Sequence, residues 1–121
     1  MRNNFKVQGF LWGSDMTELC EHGLYDLVIL SDVVFNHSEH KKLLKSISDC
    51  LSVDGEVLCT FTHHRPWLAD KDMDFFKLAH DEYQIDSVHC ESVIMGPMFE
   101  VDRGDVEVRS TVHFYKMNKR K

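Results

Sequence analysis

The sequence predicts an α/β fold, and three features carry that prediction. Two near-continuous apolar runs, Leu27-Val28-Ile29-Leu30 and Val57-Leu58-Cys59-Thr60-Phe61, suit strands buried on both faces, as in a parallel sheet. Two stretches of helical spacing follow them in turn: Leu43, Leu44, Ile47 and Leu51, then Met73, Phe76, Ala79 and Tyr83. Near the C-terminus, Val106, Val108, Val112 and Phe114 alternate with Glu107, Arg109, Thr111 and His113, the pattern of a half-exposed or antiparallel strand. Strands alternating with helices imply a largely parallel sheet, and two successive strands at the end imply an antiparallel finish.

Each element has its own justification. Residues 5–11 predict a short strand closed by Trp12-Gly13, and residues 17–22 a short helix stopped by Gly23. Residues 25–31 predict the first fully buried strand. Ser38 stands as the N-cap of the next helix, whose outer face carries Lys41, Lys42 and Lys45. Asp54-Gly55 predicts a turn, residues 56–62 the second buried strand, and His63-His64-Arg65-Pro66 a loop, because the residue before proline resists helix. Residues 70–82 predict a helix, 85–93 a weaker strand, 96–104 a loop around Pro97, and 106–117 the alternating strand.

Size and composition narrow the class. The chain has 121 residues, room for one domain with one core. It is 43% hydrophobic and 28% charged with two prolines, which argues against disorder and low complexity. The longest apolar stretch, residues 27–35, contains Asp32 and is far too short to cross a bilayer. Met-Arg-Asn-Asn at the start lacks the apolar run of a signal peptide, so a cytoplasmic location is expected. Cys20, Cys50, Cys59 and Cys90 are widely spaced with no C-x-x-C pair, the pattern of buried free thiols. The net charge of −6 disfavours nucleic acid and favours cationic substrates. The basic tail of Lys116, Lys119, Arg120 and Lys121 reads as a solvated C-terminus.

Four blocks of sequence, in order, are specific. They are Tyr25 through Phe35-Asn36-His37, then Thr62-His63-His64-Arg65-Pro66, then Pro97-Met98-Phe99, then Glu107-Val108-Arg109-Ser110-Thr111-Val112. From residue 7 to residue 115 the chain resembles the class I S-adenosylmethionine-dependent methyltransferases. Within them it resembles the family named after a yeast nicotinamide N-methyltransferase, whose members methylate the N-terminal amine and a lysine of elongation factor 1-alpha. Phe35 stands where the wider superfamily often has tyrosine.

The resemblance implies the C-terminal part of a seven-stranded Rossmann-like sheet of strand order three, two, one, four, five, seven, six. Residues 1–121 would form a partial domain running from strand three to strand seven. No glycine-rich loop follows a first strand, and no acidic residue closes a second. The expectation is therefore a truncated chain, with strands one and two missing, that binds S-adenosylmethionine poorly alone and leaves strand four at an exposed edge prone to association. The implied activity is protein N-methylation. Nicotinamide or another small amine is the alternative acceptor, and a non-catalytic binding remnant is the alternative of another class.

Ligands sit at the carboxyl ends of parallel strands, where Asp32, Asn36 and His37 follow one strand and His63, His64 and Arg65 the next. If those strands are neighbours, the six residues face one crevice. Asp32 would orient an acceptor amine, or else cap the following backbone. By the resemblance, Asn36 and His37 join Asp32 at the catalytic rim, and Trp12 and Ser31 face the cofactor. Trp12 reads equally well as core. His63, His64, Arg65 and Phe99 would line the substrate cleft. Arg109 would anchor the Met98-Phe99 loop through Asp102 or Asp105, or form a cross-strand pair. His37-x-x-His40 lacks a third ligand of suitable spacing, so no metal is expected.

Overall fold

The computed structural model describes residues 7–95 and 106–120. Four strands form one sheet: β1 (Tyr25–Ser31), β2 (Leu51–Phe61), β3 (Ile85–Ile94) and β4 (Thr111–Lys119). Helix α1 (His40–Cys50) joins β1 to β2, helix α2 (Ala69–Tyr83) joins β2 to β3, and a single helical turn, α3 (Val106–Ser110), precedes β4. The sheet order is β1-β2-β4-β3. That is the order expected for strands four to seven. One pairing, β1 with β2, is parallel, while β4 runs antiparallel to both its neighbours. The sheet is mixed rather than largely parallel.

Helices α1 and α2 cover one face. Leu43, Leu44 and Ile47 of α1 and Phe75, Phe76 and Ala79 of α2 share a core with Leu30, Val57, Cys59, Phe61, Ile85 and Met117 of the strands. Period-two alternation along β2 explains the assignment, since Val57, Cys59 and Phe61 point at the helices and the residues between them do not. The same alternation in β1 turns Leu30 inward and Leu27 and Ile29 outward, where they are 51% and 67% exposed. The expected burial of β1 on both faces is thus corrected. Among the described residues only one face of β1 has helices to cover it, and β1 is the edge of the described sheet. No described helix is long and apolar enough to cross a membrane.

Several local expectations change. Residues 7–11 are not a strand, and residues 5 and 6 lie outside the described residues. Val7 and Leu11 are 89% and 78% exposed, so this half-apolar segment finds neither a ladder partner nor a face to bury. Residues 17–22 form consecutive turns instead of a helix. Asp15 Oδ1 accepts the Thr17 N–H at 2.7 Å, and six residues are too few to recover the cost of helix nucleation without a buried face. Ser38 does not cap α1. It lies in the 3-10 turn His37–Glu39, and Glu39 takes the N-cap position with no side-chain cap bond. Residues 106–110 are helical, not the start of the last strand. The ladder with β3 ends at Ile94 and Thr111, and the Thr111 hydroxyl caps α3 by donating to the Glu107 carbonyl at 2.7 Å. The loop expected at 96–104 lies outside the described residues.

Asp54-Gly55 makes no turn but falls inside β2, in an irregular stretch of the parallel ladder. Between the pairs Tyr25–Leu51 and Leu27–Glu56, β1 advances two residues while β2 advances five. The surplus carbonyls are taken up from β4, where Asn118 Nδ2 donates to Gly55 O at 3.2 Å and Lys119 Nζ to Leu51 O at 2.5 Å. A Cβ at Gly55 would stand 2.6 Å from Leu51 Cδ1, 2.9 Å from Ser52 Oγ and 3.0 Å from the Tyr25 carbonyl oxygen. The first two neighbours can swing away, but the carbonyl belongs to the backbone of the edge strand. Gly55→Ala should therefore destabilise the fold by about 1–3 kcal/mol, read as a lower urea midpoint with unchanged slope.

Candidate functional site

The parallel ladder carries the ends of β1 and β2 to the same level. Ser31 pairs with Thr60, and the Asp32 N–H donates to the Thr60 carbonyl at 2.8 Å. Asp32 then turns with φ 57°, the left-handed region, which aspartate tolerates better than most side chains. Its Oδ1 lies 2.6 Å from His64 Nε2. A carboxylate accepts, so Nε2–H donates and Nδ1 is left facing the Thr62 hydroxyl at 3.5 Å. Asp32 thus uses its side chain across the strands rather than to cap the backbone that follows it.

Phe35 closes one side of this pair, its ring meeting that of His64 edge-on at 5.1 Å. Arg65 Nη2 donates to the Phe35 carbonyl at 3.3 Å, tying the loop after β2 to the loop after β1. Asn36 lies exposed at the start of the 3-10 turn, without a side-chain cap bond, and its carbonyl accepts the Glu39 N–H at 3.0 Å.

The six residues expected in one crevice divide into two groups. His37 turns away from Asp32 to Asp72 Oδ1, and His63 Nδ1 meets Asp72 Oδ2 at 2.7 Å. His63 keeps to the inward side, its ring 5.5 Å from that of Phe61, while the chain bends at His64, whose ring meets Phe35 and Asp32 instead. Asp72, 2% exposed on α2, was not anticipated. A signal for it exists, since it stands four residues before Phe76 on the apolar stripe of α2, where a carboxylate needs a buried partner. Its oxygens take the two imidazoles directly, and among the described residues no cluster is arranged to hold a metal ion.

Further histidines surround this group. His40 Nε2 donates to the Val34 carbonyl at 2.6 Å, and the rings of His63 and His113 lie 5.0 Å apart. His63, Glu107, Val108, Thr111 and His113 line a cavity of about 440 Å³. A larger one of about 670 Å³ lies between α1 and α2 and includes His37 and His40 but neither Asp32 nor His64.

Trp12 is half-buried against the core, and the adjacent Gly13 N–H donates to Ser46 Oγ of α1 at 2.7 Å. Ser31 is exposed at the end of β1. Phe99, and the Asp102 and Asp105 expected to pair with Arg109, lie outside the described residues. Arg109 itself is buried in α3 rather than in a strand.

Burial lowers the pKa of His40, outweighing the hydrogen bond to Val34. Burial raises that of Asp72, but the bonds from His63 and His37 prevail and hold it below the usual carboxylate range. Both shifts act in one direction. As the pH falls below 6.5, the ordinary value for His40, the unfolded chain takes up a proton that the folded His40 refuses. Below 3.8 the same holds for Asp72. Stability should therefore fall from pH 7 to pH 5 and again below pH 4. His40→Gln, which retains a donor for Val34, should flatten the first decline in urea titrations at successive pH values. A variant with the wild-type slope would show that other groups set it.

Residues 1–82 match the family described as lysine methyltransferase. The chain is 46% identical over 118 residues to the protein N-terminal and lysine N-methyltransferase of Yarrowia lipolytica, a match covering 95% of this chain and 43% of that protein. It is 45% identical to the protein of the same name from Schizosaccharomyces pombe, over 90% of this chain and 46% of the relative. The chain thus spans somewhat under half the length of these relatives. A putative SAM-dependent methyltransferase from Streptococcus mutans shares the fold with a TM-score of 0.50 at 14% identity, over 86% of this chain and 29% of that one. With the paired strand ends and the matched family on the same residues, the chain belongs to the lysine methyltransferase family.

Proposed function

We propose that this chain forms part of an S-adenosylmethionine-dependent protein N-methyltransferase acting on an N-terminal amine, a lysine, or both, with elongation factor 1-alpha as the acceptor. The observation that carries this reading is the Asp32–His64 pair at the carboxyl rim of the parallel strands. The names of the related fungal proteins support the reaction class. The described strands would be four of a seven-stranded sheet.

The chemistry suits the pair. Methyl transfer to nitrogen needs a neutral amine with its lone pair aligned, and a lysine of pKa about 10.4 resists losing its proton more than an α-amine of about 7.7–8.0. S-adenosylmethionine, when bound, supplies the electrophilic methyl group. Asp32, its side chain 32% exposed, accepts a hydrogen bond from the amine and so turns the lone pair, while His64 fixes the carboxylate. Phe35 is 39% exposed beside them. That open rim suits the amine of a protein better than the closed aromatic pocket a free nicotinamide would need. Trp12 and Ser31 would contact the cofactor, since the half-buried indole and the exposed hydroxyl each retain surface to offer it. Four free thiols, two of them buried, are in keeping with a reducing cytoplasm as the compartment.

The edge of β1 adds a proposal of its own. Leu27 and Ile29 face solvent on an edge without lysine or proline, so two copies of the 121-residue chain should associate there. Light scattering after size-exclusion chromatography should show a dimer or larger species. A stable monomer would refute the association.

The functional reading is tested in the source cell. Deleting the gene that carries this chain should abolish methylation of the elongation factor at its N-terminus or at a lysine, as mapped by mass spectrometry. Restoring the gene with Asp32→Asn should leave methylation at least about tenfold below the restored wild type, with protein abundance unchanged. Unaltered methylation after deletion would refute the acceptor, and full rescue by Asp32→Asn would refute the role of Asp32.

A further inference from the structure

Adjacent histidines in the loop after β2 are held by different carboxylates. His64 bonds to Asp32 at 2.6 Å, and His63 bonds to Asp72 at 2.7 Å. Asp72 is almost wholly buried on the first turns of α2, yet it makes no cap bond there. Its two oxygens are divided between His63, from the loop after β2, and His37, from the turn after β1. A carboxylate buried one turn before Phe75 and Phe76 on α2 is costly, and core packing by itself would favour an apolar side chain there. The group joins the two loops that carry Asp32 and His64, and it joins them to a helix. Precise positioning is what a buried, fully bonded polar link contributes beyond an apolar contact.

We propose that Asp72 is a positioning residue for the methyl-acceptor site: by fixing the His63 ring it fixes the peptide from which His64 projects, and so aims His64 at Asp32. The inference rests on the reading of Asp32 and His64 as the acceptor site. Asp72 touches neither residue, so its action runs through His63. The route is short, because His63 and His64 share one peptide bond. A rotation about the His63 backbone that freed its ring would swing His64 away from the 2.6 Å bond. His37 braces the same carboxylate from the other loop. Among the described residues, further titratable groups beside this cluster are His40 and Asp74, which act on one another across α1 and α2, His113 of β4, packed on His63, and Glu107, which lines the same cavity as His63 and His113.

Asp72→Asn tests the assignment in the gene product that carries this chain, with two readouts. Initial rates on a peptide bearing the acceptor amine should show turnover lowered about 10- to 100-fold, with KM within about threefold of wild type. Side-chain NMR should show the His64 ring resonances displaced as its bond to Asp32 is lost, while those of His80, paired with Asp86 on the far end of α2, stay in place. Should Asp72→Asn fail to fold, His63→Leu, which leaves Asp72 its bond from His37, should produce the same two changes. A folded variant with wild-type turnover and unmoved His64 ring resonances would overturn the proposal. If the wild-type protein methylates no amine, the proposed function falls, and displaced His64 ring resonances in Asp72→Asn would still support Asp72 as the group that aims His64 at Asp32.

Discussion

The parallel ladder between β1 and β2 is the constraint on which the site depends. It sets Leu30 beside Cys59 and Ser31 beside Thr60, and the Asp32 N–H bond to Thr60 carries the pairing one residue past the end of β1. From that point the left-handed turn at Asp32 sends the chain away from the sheet with its carboxylate held at the rim. A slip of one residue would exchange the faces of β1, sending Leu30 to solvent and parting Asp32 from His64. The pairing is protected at its start by an irregular segment that absorbs three surplus residues of β2, around a glycine whose hydrogen leaves room for the Tyr25 carbonyl.

Helix α2 ties that ladder to the rest of the core. Phe75, Phe76 and Ala79 pack against Phe61 and Met117, and the stacked rings of Phe76 and Tyr115, 4.4 Å apart, carry the contact to β4. One turn earlier, the same stripe presents Asp72, and its two histidine bonds replace apolar contact by directional bonding where the helix meets the loops. Stability and geometry are thus supplied by neighbouring residues of one helix face. The apolar ones exclude water, and the buried carboxylate selects the orientation of the rings above it.

How much of this was legible in the sequence varies with the kind of signal. Tyr25–Ser31 stood out because an apolar run that ends in Asp32 has few other readings. The helix in residues 70–82 and the strand in 85–93 were placed to within a residue or so because their periodicity is long enough to average over exceptions. Residues 5–11 and 17–22 misled because a short pattern records only local preference, and no neighbour accepted the surfaces they offered. The alternation in residues 106–110 misled for the converse reason, since the strand that would have paired with it ends at Ile94. Asp32 and His64 were both singled out, but the division of His63 from His64 depends on which carboxylate faces each ring, Asp72 of α2 or Asp32, and no local pattern states that.

The sequence by itself determined the α/β class, the order of the main elements, and the residues that gather at the carboxyl ends of β1 and β2. Those properties depend on hydrophobic periodicity and on motif order, and both are local. Only the tertiary structure decided that a single described strand pair is parallel, that Leu27 and Ile29 face solvent, and that Asp72 joins His37 to His63. Each of these depends on what lies opposite a residue. A periodic pattern states which side of an element is apolar, but the partner across the gap, whether a helix, a carboxylate or water, is set by packing between segments distant in the chain.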